Sequence, residues 1–138
     1  MTETTIKSEA RFLHTMIRVK NLDTSIAFYC NQLGMKEVKR SDVPEGQYTN
    51  VFVGYGPQET HPVIELTYNY GEHEYDKGNG FGHLAIGVSG IYDVCERLAA
   101  AGVRITRPPG PLKFGKTVIA FIEDPDGYKI ELVETGED

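Results

Sequence analysis

Apolar residues in this chain recur with two periods, and the switch between them marks out the elements. FLHTMIRV (12–19) reads as a strand from its Ile, Val and Met content. Beyond it Ile26, Tyr29, Cys30 and Leu33 fall at i, i+3, i+4 and i+7, one face of a helix, with Asp23 as candidate N-cap and Gly34 in the position past its end. Strand-like segments follow at 35–39, 48–55 and 62–68, punctuated by Pro44, Gly46, Gly56 and Pro57. The second half repeats this order. GHLAIGV (82–88) is a strand, Ser89 a candidate cap, and Ile91, Val94, Cys95 and Leu98 form a helical stripe that runs up to Gly102. Strands are then expected at 103–106, 117–123 and 128–133, the last two joined by a DPDG turn at 124–127.

Strand, helix and three strands, twice over, predict an α+β fold of two tandem βαβββ modules. Module one covers about 12–70 and module two about 80–134 of a single domain at 12–138, after a flexible leader at 1–11. Neither unit is large enough to cover its own sheet, so the two should share a core.

Residues two apart in a strand share a face, and this assigns the polar positions. Leu84, Ile86 and Val88 face the helices, leaving His83, Ala85 and Gly87 on the other side. Leu13, Ile17 and Val19 likewise oppose His14, Met16 and Arg18. In VIELTY, Ile64, Leu66 and Tyr68 oppose Val63, Glu65 and Thr67, and in KIELV, Ile130 and Leu132 oppose Glu131 and Val133. Four strands thus each send one His or Glu out of the face away from the helices, at equivalent positions of the two repeats. A lone strand glutamate is ordinarily solvated. Two imidazoles and two carboxylates together make a mixed nitrogen and oxygen set suited to a divalent metal. His61 and His73 fall in loop-like stretches and are read as solvent-exposed.

Composition narrows the classes. The 138 residues are 40% hydrophobic and 25% charged, an ordinary globular balance. A net charge of −6 without a basic cluster argues against nucleic acid as a partner. No apolar run is long enough for a membrane span, and MTETTIKSEAR lacks the apolar segment of a secretory signal. Two cysteines, Cys30 and Cys95, both in helical patterns, suit a reduced cytoplasmic protein.

LHTMIRV, LDTSIAFYCNQLGMK, FVGYGP, VIELTYNYG, FGHLAIGV and TVIAFIEDPDGYKIELVE together closely resemble the glyoxalase I (lactoylglutathione lyase) family of the vicinal oxygen chelate superfamily, in its short bacterial-type form. The likeness runs from about Phe12 to Glu134. It implies sheets curling around one divalent metal and a homodimer with shared active sites, His14 and Glu65 from one chain and His83 and Glu131 from the other. The implied reaction isomerises the methylglyoxal–glutathione hemithioacetal to S-lactoylglutathione through a cis-enediolate, a carbon–sulfur lyase activity that detoxifies methylglyoxal. Four protein ligands leave two octahedral positions open for adjacent oxygens. By resemblance Glu131 is the leading catalytic base, Glu65 serves the opposite face of the carbon skeleton, and Ni²⁺ is the activating ion ahead of Co²⁺ or Zn²⁺. Glutathione is the implied cosubstrate, its γ-glutamyl end on Arg18 and Asn69 and its glycine carboxylate on Lys113. The family often has a basic residue four before the second metal histidine, and here that position is Asn79. Pro108, Pro109, Gly110, Pro111 and Gly115 suggest a flexible loop that closes over the thiol. Related epimerases, thiol transferases and dioxygenases, and ligand-sequestering modules of the same fold, are the alternatives; the four-donor set and the NYG after VIEL favour the isomerase.

Overall fold

The computed structural model describes residues 3–6 and 9–136, so part of the leader expected at 1–11 lies outside the described residues. Two four-stranded mixed sheets carry the fold. In the first, β1 (His14–Arg18), β2 (Lys36–Val43), β3 (Tyr48–Gly54) and β4 (Val63–Asn69) lie in the order β1-β4-β3-β2. In the second, β5 (Leu84–Val88), β6 (Arg104–Pro111), β7 (Val118–Glu123) and β8 (Lys129–Glu134) lie in the equivalent order β5-β8-β7-β6. The β1–β4 and β5–β8 pairs are parallel and the others antiparallel. Each parallel pair is bridged by a long connection that holds a helix and two further strands, as parallel pairing requires.

The alternation read from the sequence holds. Leu66, Val51, Val53, Ile122, Ile130 and Leu132 are fully buried and join residues of both modules in one core. Each such aliphatic side chain contributes about 1.5–3 kcal/mol of burial. Leu13, expected on the core face, is exposed; it lies just before β1, with its carbonyl accepting from Val63 N at 3.1 Å.

The first helix differs from its expected form. Only Leu22–Ile26 (α1) is α-helical; Ala27–Gln32 is wound as a π-helix, closed by Leu33 N–H donating to the Phe28 carbonyl at 3.1 Å. Asn21, not Asp23, is the cap: its side-chain oxygen accepts from Thr24 N at 2.9 Å, while Asp23 occupies the first turn. Gly34 (φ +78°) follows the helical run as expected, in a conformation that disfavours a Cβ.

Ser89 does not cap the second helix, α2 (Ile91–Ala100). Glu134 does so from the end of β8: its carboxylate accepts from Ile91 N at 2.7 Å and Gly90 N at 3.2 Å. These bonds, with a third from Gly136 N, hold the Glu134 carboxyl below the usual range. An anion at a helix N-terminus is also favoured by the helix dipole.

The proline-rich stretch 108–111 is strand rather than loop. β6 runs through it with irregular register, and the Arg107 guanidinium donates to the carbonyls of Pro108, Gly110, Pro111 and Ile119 at 2.9–3.1 Å. Prolines lack the N–H that a ladder needs, and Arg107 supplies donors in their place. The non-strand segment is confined to Leu112–Thr117.

The DPDG turn locks the modules together. Asp124, buried, accepts from the N–H groups of Asp126 and Tyr128 at 2.9 Å each and from the Tyr29 hydroxyl of module one at 2.6 Å. Asp126 accepts from Lys20 N at 3.0 Å and Ser25 Oγ at 3.3 Å, and Tyr128 Oη donates to the Arg18 carbonyl at 2.8 Å. Burial pushes the Asp124 carboxyl up, opposed by these hydrogen bonds, and burial with the neighbouring Asp124 pushes the Tyr29 hydroxyl up as well. Cys30 and Cys95 are free thiols, both raised chiefly by burial.

Candidate metal centre

Strand pairing places the donors. Glu65 on β4 lies directly across from Met16 on β1, which makes His14, two residues earlier on the same face, its diagonal neighbour. The His14 Nε2 to Glu65 Oε1 distance is 3.1 Å. In module two Glu131 on β8 lies across from Ala85 on β5, with His83 two residues earlier, and His83 Nε2 is 3.3 Å from Glu131 Oε1. On the other side of each glutamate stands a phenylalanine: Phe52 of β3 opposite Glu65 and Phe121 of β7 opposite Glu131. Each ring meets its histidine edge-to-face, with centroids 5.5 Å and 5.2 Å apart. The duplicated unit is therefore His–Glu–Phe rather than His–Glu. The phenylalanines were missed in the sequence, although their equivalent positions in YTNVFV and TVIAFI could have revealed them.

Exposure follows the same order in both copies: the histidine side chains are 38% and 42% exposed and the glutamates 16% and 20%. Each carboxylate is shielded by its strand neighbours while its imidazole edge opens outward. The two pairs do not meet. Among the described residues no three His, Cys, Asp or Glu side chains are close enough to share a metal ion. One chain holds two separate His–Glu pairs, and one of each would together supply the N₂O₂ set expected of a divalent-metal centre with open positions.

The remaining predicted residues fall in different places. Arg18 is exposed at the end of β1, paired with Thr67 and hence beside Asn69, whose Nδ2 donates to Tyr75 Oη at 3.1 Å. Lys113 lies in the turn between β6 and β7 with its Nζ 5.2 Å over the Phe114 ring, and it does not line the cavity beside either histidine. His61 and His73 are exposed as expected, with hydrogen bonds to Thr60 Oγ1 and the Tyr70 carbonyl at 2.8 Å each.

Residues 11–132 match the family model described as Glyoxalase/Bleomycin resistance protein/Dioxygenase superfamily. The chain belongs to this superfamily. Among its members, a lactoylglutathione lyase of Salmonella typhimurium is 56% identical over 124 residues, 90% of this chain and 92% of the relative. A probable lactoylglutathione lyase of Synechocystis is 56% identical over 123 residues, 89% of this chain and 94% of the relative. Of solved superfamily structures, glyoxalase I from Zea mays superposes with a TM-score of 0.89 at 49% identity over 92% of this chain. This chain spans 45% of the maize chain, a little under half its length. The trypanothione-dependent glyoxalase I of Leishmania major gives a TM-score of 0.82 at 46% identity, covering 91% of this chain and 87% of that one.

Proposed function

We propose that this chain catalyses glyoxalase I chemistry, isomerising the hemithioacetal of methylglyoxal and glutathione to S-lactoylglutathione. The observation that carries the reading is the repeated His–Glu pair, His14 with Glu65 and His83 with Glu131, each at hydrogen-bond distance on the open face of its sheet. The lactoylglutathione lyases among its relatives support the assignment. Because each chain carries half of two centres, the working form is a homodimer in which His14 and Glu65 of one protomer face His83 and Glu131 of its partner.

The four donors fit a divalent ion, with Ni²⁺ our preferred identity; when bound, it supplies Lewis acidity toward two adjacent substrate oxygens. Glu131 takes the proton from the carbon bearing sulfur and oxygen, and the same carboxyl returns a proton to the neighbouring carbon, so substrate and product are isomers with no net redox change. Glu65 acts from the opposite side of the carbon skeleton. Phe52 and Phe121 flank the carboxylates and limit their contact with water to the 16–20% of their side chains left exposed. Arg18 and Asn69 at the adjoining ends of β1 and β4 hold the γ-glutamyl end of the thiol. Among the described residues no helix is long and apolar enough to cross a membrane. The free thiols of Cys30 and Cys95 support a cytoplasmic setting.

The test is thioester absorbance with methylglyoxal and glutathione after chelation and re-addition of single metals, alongside molecular mass in solution. We expect turnover to vanish on chelation, to return most strongly with Ni²⁺, and to reside in a species of twice the chain mass. A fully active chelated protein, or an active monomer, would overturn the reading.

A further inference from the structure

Pairing across the first sheet runs from Glu65 on β4 to Phe52 on β3 and on to Lys39 on β2. In the second sheet it runs from Glu131 on β8 to Phe121 on β7 and on to Arg107 on β6. Residues directly opposite one another in a strand pair share a face, so each sheet carries the same row: imidazole, carboxylate, phenyl ring, cation. A register shift lies just before each cation, between Glu37 and Lys39 and between Ile105 and Arg107. Bulges of this kind re-aim side chains. The cationic ends of the rows nevertheless behave differently. Lys39 holds its Nζ 5.7 Å over the Phe52 ring, whereas the Arg107 guanidinium is spent on carbonyls of β6 and β7. What the two copies share is the histidine, the glutamate and the ring.

The shared part also repeats in its geometry. Imidazole and phenyl centroids lie 5.5 Å apart at 76° in module one and 5.2 Å apart at 75° in module two. Edge-to-face contact at such distances is attractive beyond simple burial. Metal-ligating histidines are ordinarily oriented by a hydrogen bond from their second ring nitrogen. Among the described residues neither His14 nor His83 makes such a bond; each imidazole has its glutamate at Nε2 and its phenyl ring at the side. We infer that Phe52 and Phe121 are positioning residues for the metal centre. Each ring restrains the rotation of its imidazole, so that Nε2 stays beside the glutamate oxygen before a cation arrives. The ordering is then complete on folding and does not have to be met on binding. The inference rests on the metal-dependent reading above and says what gives that centre its affinity.

The experiment measures Ni²⁺ binding by calorimetry to metal-freed native protein and to variants that remove the ring (F52L, F121L) or keep it (F52Y, F121Y). The melting temperature of each metal-free protein is recorded alongside. We expect each Leu variant to bind Ni²⁺ about tenfold more weakly, as loss of a group that orients a ligand does, and each Tyr variant to stay within about twofold of native protein. The rings act on different histidines, so the losses should multiply to about a hundredfold in F52L/F121L. Leu variants that bind as tightly as native protein overturn the inference whatever their melting temperature, and so do Tyr variants that bind as weakly as the Leu ones. F52M and F121M, unbranched and of similar size, take the place of any Leu variant that fails to fold, with the same loss expected. Native protein that does not bind Ni²⁺ would instead sink the metal-dependent reading itself.

Discussion

Replacing Tyr29 with Phe removes one oxygen from the link between the modules while keeping the buried ring. That oxygen donates to Asp124 Oδ2 at 2.6 Å, in a place where Tyr29 is fully buried and Asp124 nearly so. The other Asp124 oxygen stays satisfied by two backbone N–H groups, so the variant leaves Oδ2 without its donor. Losing a hydrogen bond to a buried charged group costs about 1.5–3 kcal/mol. For a chain of this size about 2 kcal/mol lowers Tm by roughly 6 °C. The loss should also depend on pH. Burial raises the Asp124 carboxyl in the folded state, so its contribution to stability is most favourable below the ordinary carboxylate pKa and declines as pH rises through the raised value. The Tyr29 bond opposes that rise; without it the folded carboxyl holds its proton more tightly still. The destabilisation of Tyr29→Phe should therefore be largest near neutral pH and shrink as the carboxyl protonates. Urea unfolding followed by far-ultraviolet circular dichroism, at pH 7 and about pH 4.5 and one fixed protein concentration, measures both quantities. A loss that is the same at both pH values, or below about 0.5 kcal/mol at pH 7, would refute the reasoning.

Glu134→Gln should show the same pH trend from the opposite cause. The native carboxyl is lowered by its backbone donors, so its stabilising effect is present above the ordinary carboxylate pKa and lost as pH falls through the lowered value. Melting curves of native and variant protein should differ at pH 7 and converge in acid; parallel curves throughout would contradict the cap. Leu132→Ala, in a fully buried position of β8, should cost about 2–5 kcal/mol in urea unfolding. Glu131→Gln should remain folded and keep part of its cation binding, yet lose turnover by about a hundredfold or more, read by thioester absorbance against cation binding by calorimetry.

Much of this protein is legible without its structure, for a local reason. Side chains alternate across a strand whatever the strand pairs with, so His14, Glu65, His83 and Glu131 could be assigned to one kind of face from their neighbours alone. Repetition of that pattern then marked the two modules and their shared order of elements. Long-range contacts decided the rest. The cap of α2 comes from Glu134, more than forty positions along the chain, where no local signal could point. The stretch 108–111 reads as loop because proline cannot donate to a ladder, and it becomes strand because the Arg107 guanidinium bonds across to the next strand. Tyr29 looks like any apolar stripe residue until Asp124, from the other module, accepts its hydroxyl. Above all, strand periodicity presents four donors as one set, the family resemblance divides them between two chains, and the packing of the two sheets holds the two pairs apart within one chain. Periodicity fixes which way a side chain points; how far apart two such side chains lie depends on the packing of whole sheets.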